Sequence, residues 1–279
     1  MILSTMTYED IYREIKNDFQ DVFNHYIKTF RPKVCKMAQK SSIYPWRKFD
    51  YYTHPSSRNK YVYFSIVNKH SSWAEPAVVM FCEFEGKFGK EIITIAKGKE
   101  QITFRPALII NVFQAHFFKR YYERFIKDEQ IEYNKIAIFL ARNSYSLPLS
   151  SEAVSANELL KDEPGYFKTA MLTLDGVELG LQSKENRNIY IYKTFVPFDE
   201  MFQKQYEKVL PEYMTMLVNR GCADYPQCKE TIKKVYSDAA KEIRDLVLGD
   251  NQMSTEDHNR AYMLAYSKAC QELFKYIIL

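Results

Sequence analysis

Residues Tyr61–Ala96 read YVYFSIVNKHSSWAEPAVVMFCEFEGKFGKEIITIA. Three runs rich in β-branched and aromatic residues stand out in it: Tyr61–Asn68, Ala77–Glu85 and Glu91–Ala96. Each is too short for a typical helix and each ends at turn-forming residues, which favours strands. The last two are separated by Gly86-Lys87-Phe88-Gly89, a link of hairpin character. An antiparallel sheet is therefore the first expectation.

The pattern extends outward from this stretch. Ala107–Phe113 is another apolar run, read as a strand; an alternative starts a helix at Pro106, since Pro suits a first helical turn. Tyr166–Leu174, Val177–Gln182 and Ile189–Val196 are further strands, with turns at Asp175-Gly176 and Lys184–Asn188. Helical spacing of Ile11, Ile15, Phe19, Val22, Phe23, Tyr26 and Phe30 predicts a helix over 7–40, capped by Thr7 and broken or kinked at Pro32. Residues 41–60 read as a loop, with Pro45 and Pro55. A helix is expected over 114–127 and another over 132–143, followed by an exposed connection over 144–165. Beyond Phe198 the pattern is helical, at about 199–219, 226–248 and 255–278.

The expected fold class is α+β, an antiparallel sheet with flanking helices plus an all-helical C-terminal region. The expected division is 1–197, an α+β domain with a basic N-terminal part, and 198–279, a helical region. With 22 Tyr and 19 Phe against 8 Gly and 10 Pro, the 279-residue chain can bury a large core with few long loops.

Charge is local. Residues 1–130 carry 21 Lys and Arg against 14 Asp and Glu, and the surplus concentrates in Lys28–Lys69, where ten basic residues meet one acid, Asp50. Aromatic residues interleave there: Tyr44, Trp46, Phe49, Tyr51 and Tyr52. Phosphates attract the cations and unpaired bases stack on exposed rings, so Lys33, Lys36, Arg47 and Lys48 are candidate nucleic-acid-binding residues. The bland alternative is a basic surface over an aromatic core.

No stretch reaches the roughly 20 apolar residues that span a bilayer, so no membrane association is expected. Met1–Asp10 lacks a basic-then-apolar leader pattern, and a cytoplasmic location is expected. The cysteines at 35, 82, 222, 228 and 270 are scattered. Cys222 and Cys228 have five residues between them, where metal ligands usually have two to four, and no second ligand pair follows, which speaks against a metal site. Phosphate-loop, dinucleotide-loop, zinc-protease and nucleophile-elbow signatures are absent, and no cofactor is expected. His54 and His70 lie in polar loops without evident partners.

The sharpest cluster is His116-x3-Arg120-x3-Arg124. A spacing of four drifts about 40° around a helix, so the three share a stripe beside the apolar arc of Phe117, Tyr121, Phe125, Phe118 and Tyr122. A His near a helix N-terminus is held neutral by the dipole and can move a proton, and two Arg can hold a phosphate. Alternatively, the arginines pair with Glu123, Asp128 or other acids on a solvated face.

The order of elements over roughly 105–198, from strand to His-x3-Arg-x3-Arg helix, second helix, three-stranded meander and Lys193-Thr194-Phe195, resembles the RelE/BrnT-like toxin-type ribonuclease superfamily and related short bacterial proteins. The resemblance implies a metal-independent RNA-cleaving activity in which His116, Arg120 and Arg124 are catalytic. It also makes Thr194 the hydroxyl residue of the last strand. Two other readings stand beside it: a non-catalytic nucleic-acid-binding or regulatory protein, or a scaffold whose C-terminal helices carry a protein partner. In that last reading Tyr262, Ala265, Tyr266, Ala269, Leu273 and Tyr276 form the stripe.

Overall fold

The computed structural model describes residues 1–67, 70–86, 89–99, 106–126, 136–137, 139–140, 143, 146–149, 160–173, 175–197, 215, 218–219, 222 and 229–249. The fold is α+β. Helix α1 (Tyr8–His25) starts at a capping box: the Thr7 hydroxyl accepts from Asp10 N–H, and the Asp10 carboxylate accepts from Thr7 N–H. Its buried stripe of Ile11, Ile15 and Val22 lies against the sheet. The expected break at Pro32 takes another form. Residues 26–30 widen into a π-turn, and the helix runs on without a break into α2 (Arg31–Gln39), with Pro32 near its start; the wider turn is where the bond that the proline N cannot make is accommodated.

Nine strands form one sheet among the described residues: β1 (Trp46–Thr53), β2 (Lys60–Val67), β3 (Ala77–Gly86), β4 (Gly89–Lys99), β5 (Pro106–Phe113), β6 (Leu147–Pro148), β7 (Tyr166–Leu172), β8 (Gly176–Ser183) and β9 (Ile189–Pro197). Their spatial order is β1-β2-β3-β4-β5-β9-β8-β7-β6. Two antiparallel meanders meet at the pair β5 and β9, which is parallel, with Ile110 beside Ile189 and Phe113 beside Tyr192. The purely antiparallel sheet expected from sequence is thus corrected to a mixed one. The strand at Pro106 excludes a helix starting there, because Pro106 pairs with Lys99 in the β4–β5 ladder.

Residues 41–60 are likewise not a loop throughout. Trp46–Thr53 pairs along its whole length with Lys60–Val67 as the sheet's edge strand. Pro45 and Pro55 sit just outside its two ends, where they cost no ladder hydrogen bond.

Both sheet faces are covered, so β2 is buried continuously from Tyr61 to Val67. Tyr61 and Tyr63 join the core beneath α1, the π-turn and α2, together with Ile93, Ile110, Val112 and Ile191. Val62, Phe64 and Ile66 join the opposite core, beneath α3 (Ala115–Tyr121) and the helical residues Ile136, Ala137, Phe139 and Leu140. That second core is aromatic: Phe117 lies 4.9 Å from Phe113 and 5.4 Å from Phe139 between ring centres. The expected 114–127 helix is realised as α3 followed by a π-turn over 122–126. Within 144–165, Leu149 and Leu160 are buried, contrary to a wholly exposed connection.

Farther on, α4 (Lys229–Gly249) matches the helix expected near 226–248. Thr215, Val218 and Asn219 are helical. The helix expected at 255–278, most of 199–219, and the division at 197 lie outside the described residues. No helix among the described residues is long and apolar enough to cross a membrane.

Candidate functional site

The expected catalytic stripe begins on α3, whose inward face of Phe117, Phe118 and Tyr121 is buried. His116 and Arg120 are exposed on its outer side. Arg120 Nη1 lies 3.5 Å from Glu123 Oε2, a surface pair three positions away, of a kind worth little stability. Arg124 falls in the π-turn, which has a wider pitch than an α-helix and so takes it off the straight stripe. Its Nη1 donates to the Phe195 carbonyl oxygen of β9 at 3.4 Å.

Thr194 does not join them. Between β8 and β9 the register runs Gly180 with Tyr192, then Leu179 with Thr194, so Lys193 is an extra residue, a β-bulge. One inserted residue exchanges the faces of everything after it. Tyr192 and Phe195 consequently both face α3, Phe195 with its ring 5.0 Å from Tyr121. Thr194, paired with Leu179, faces the other side of the sheet. Gly180 marks the close approach at this bulge, since a Cβ there would lie 2.3 Å from the Ile191 carbonyl oxygen. The structure brings Arg124 to the β9 backbone beside Thr194 but does not gather His116, Arg120, Arg124 and the Thr194 hydroxyl on one face.

The four candidate nucleic-acid-binding residues also divide. Lys33 and Lys36 are exposed on α2. Lys48 pairs with Ser65 and so shares the sheet face that α2 covers, whereas Arg47 pairs with Ile66, on the α3 face. Lys40, which follows α2, belongs with the first group. At about 100° per residue, Lys33, Lys36 and Lys40 fall within an arc of about 60°, opposite the buried Val34 and Ala38. Lys28 is exposed in the preceding π-turn. None of these four lysines forms an ion pair among the described residues. Between Lys28 and Lys48 the chain carries seven basic residues and no acid. Arg31 is held back, donating to the Ala74 carbonyl oxygen at 3.1 Å.

The rings expected as stacking platforms are mostly committed to packing. Trp46 and Tyr52 pack on the first core. Phe49 lies 4.5 Å from Phe64. The Tyr44 hydroxyl donates to the Ala38 carbonyl oxygen. Tyr51 alone of the five is widely exposed, at 66%.

His54, read from sequence as lacking partners, has several. Its Nδ1 is 3.1 Å from Ser57 Oγ and 3.4 Å from Asp18 Oδ1, and its Nε2 is 3.3 Å from Asp21 Oδ2. Asp18 is buried on α1, and its Oδ2 accepts from Ser57 Oγ at 2.6 Å, Asn59 Nδ2 at 2.7 Å and the Tyr61 hydroxyl at 2.6 Å. Because the Ser57 hydroxyl is spent on Asp18, it is not presented as a nucleophile. This network ties the β1–β2 turn to α1. His70 likewise has a partner, its Nε2 standing 3.2 Å from the Gln39 carbonyl oxygen. The described residues hold no group of three or more His, Cys, Asp or Glu side chains able to bind a metal.

Comparison with known proteins finds no matching family model, no matching curated protein and no matching solved structure.

Proposed function

We propose that this protein binds single-stranded nucleic acid, RNA foremost, through the lysine face of α2, and does so without cleaving it. The supporting observation is the arc of Lys33, Lys36 and Lys40, extended by Lys28, with no acid between positions 28 and 48 to neutralise it. These ammonium groups are exposed and, among the described residues, unpaired, so they can meet phosphates without first breaking an ion pair there, and each phosphate met releases a condensed counterion. Lys48 extends the positive surface from the edge strand β1. Tyr51 offers an exposed ring on which a base can stack, on the opposite side of that strand.

The RNA-cleaving reading is weaker, because Thr194 lies across the sheet from the α3 stripe and Arg120 has an acidic neighbour. The test is fluorescence anisotropy of a labelled single-stranded RNA with the full chain, followed by recovery of that RNA on a gel in EDTA. Binding that weakens in Lys33→Glu/Lys36→Glu/Lys40→Glu, with intact RNA recovered, supports the proposal. Metal-free cleavage that disappears in His116→Ala would restore the catalytic reading instead.

A further inference from the structure

On the α1 side of the sheet, remote from the aromatic core beneath α3, a cleft of about 580 Å³ opens between the segment leading into α1 and strands β3, β4, β7, β8 and β9. Its size suits a small molecule, for which pockets of roughly 300–1,000 Å³ are usual. Glu91 of β4 lines it and is buried. One of its carboxylate oxygens, Oε2, accepts from the Tyr8 hydroxyl at 3.0 Å, and that hydroxyl in turn accepts from Gln114 Nε2 at 3.2 Å. The other, Oε1, is buried without a hydrogen-bond partner. A buried acceptor left unpaired carries a desolvation cost, so it marks a place where a donor is wanted.

The backbone around Glu91 is shaped to keep that oxygen in place. Gly86 also lines the cleft, and a Cβ on it would fall 2.6 Å from Glu91 Oε1. Any other residue there would displace the carboxyl. The remaining charged groups of the cleft already have partners: Lys193 pairs with Glu163, and Glu9 accepts from Ser183 Oγ. Among the described lining residues, three carboxyl groups, Glu9, Glu91 and Glu163, thus stand against one ammonium, Lys193. The unmet demand is for a hydrogen-bond donor, and the local charge favours a positive one. Tyr8 and Tyr166 add aromatic surface, which attracts cations further.

We propose that this cleft binds a small organic amine, whose ammonium group donates to Glu91 Oε1 and lies against the rings of Tyr8 and Tyr166. Burial holds the Glu91 carboxyl above its ordinary range. The ammonium pairs with the ionised carboxylate, so binding weakens as the solution is acidified and Glu91 takes up its proton.

The experiment is isothermal titration of the full chain with phenethylamine and with 1,4-diaminobutane. Each is compared with its uncharged counterpart, phenethyl alcohol and butane-1,4-diol. A charge-assisted hydrogen bond is worth roughly 1.5–3 kcal/mol, so at least one amine is expected to bind about tenfold or more tightly than its alcohol, and Glu91→Gln to lose that advantage. In the wild type, the amide resonances of Gly86 and Gln114 shift on adding the amine, a measurement that does not depend on the variant folding. Amines that bind no better than alcohols overturn the proposal. So does a Glu91→Gln chain that binds as tightly as wild type, or resonance shifts confined to the surface around Lys33 and Lys36.

Discussion

Arg124 reaches across to β9 and donates to the carbonyl oxygen of Phe195, while Thr194, one residue earlier, turns its hydroxyl to the far side of the sheet. The guanidinium therefore ties the π-turn that follows α3 to the strand. Arg124→Ala is expected to lower the unfolding free energy by about 1 kcal/mol, the usual net value of one such hydrogen bond. RNA affinity should stay within about twofold of wild type. Urea titration and anisotropy read the two effects separately. A variant as stable as wild type with RNA binding abolished would reverse this assignment.

Asp18 is the most heavily used carboxylate in the described residues, with Ser57, Asn59 and Tyr61 all donating to one of its oxygens. Asp18→Ala strands three buried or half-buried donors at once and frees His54 from its place in the β1–β2 turn. Removing one member of such a network typically costs roughly 3–5 kcal/mol. Asp18→Asn keeps one acceptor and should cost less. Denaturant midpoints give the ranking directly, and equal stability of the three proteins would contradict it.

Much of the sheet was legible because strands declare themselves locally. The β-branched and aromatic runs at β2, β3 and β4 and the Asp175-Gly176 turn need only neighbouring residues to be read. β1 was missed because its sequence, WRKFDYYT, mixes charges with rings, as an edge strand does. The parallel pairing of β5 with β9 joins residues almost 80 positions apart, and no local pattern encodes it. The same holds for the site. Helical spacing correctly put Phe117 and Tyr121 on the core face; it set His116 and Arg120 on a stripe beside that face, and both are exposed. It could not foresee the π-turn under Arg124 or the bulge at Lys193, which shifts Thr194 to the other face. The two acidic partners of His54, Asp21 and Asp18, lie on α1, 33 and 36 positions away, and loop composition carries no trace of them.

Glu178 sits on β8 facing α3, buried, and desolvation holds its carboxyl well above the usual range, with the nearby Asp175 pushing the same way. An acid raised in the folded state favours folding while it is protonated. That contribution is complete below the ordinary value of 4.5 and is lost as pH rises toward the folded-state value. Glu178→Gln removes this titration. The variant should gain stability relative to wild type as pH rises from 4 to 8, and urea midpoints at several pH values will show whether the difference widens. A constant difference would place the titrating group elsewhere.

The lysine face makes a quantitative prediction because the phosphate contacts can be counted from a salt series. If Lys28, Lys33, Lys36 and Lys40 meet three or four phosphates of a single strand, log affinity should fall against log salt with a slope of roughly −2 to −3, about −0.7 per phosphate. Between 50 and 200 mM salt that is a loss of roughly 20- to 50-fold. Lys33→Glu/Lys36→Glu/Lys40→Glu reverses charge on an exposed arc without touching Val34 or Ala38, so the fold should survive, which circular dichroism and the urea midpoint verify. The slope should then shrink toward that of one contact or binding should vanish. His116→Ala and Arg120→Ala, on the other side of the sheet, should leave both slope and affinity unchanged. A wild-type slope near zero would remove the electrostatic basis of the interface. Loss of RNA binding in His116→Ala with the triple variant unaffected would move the interface to α3.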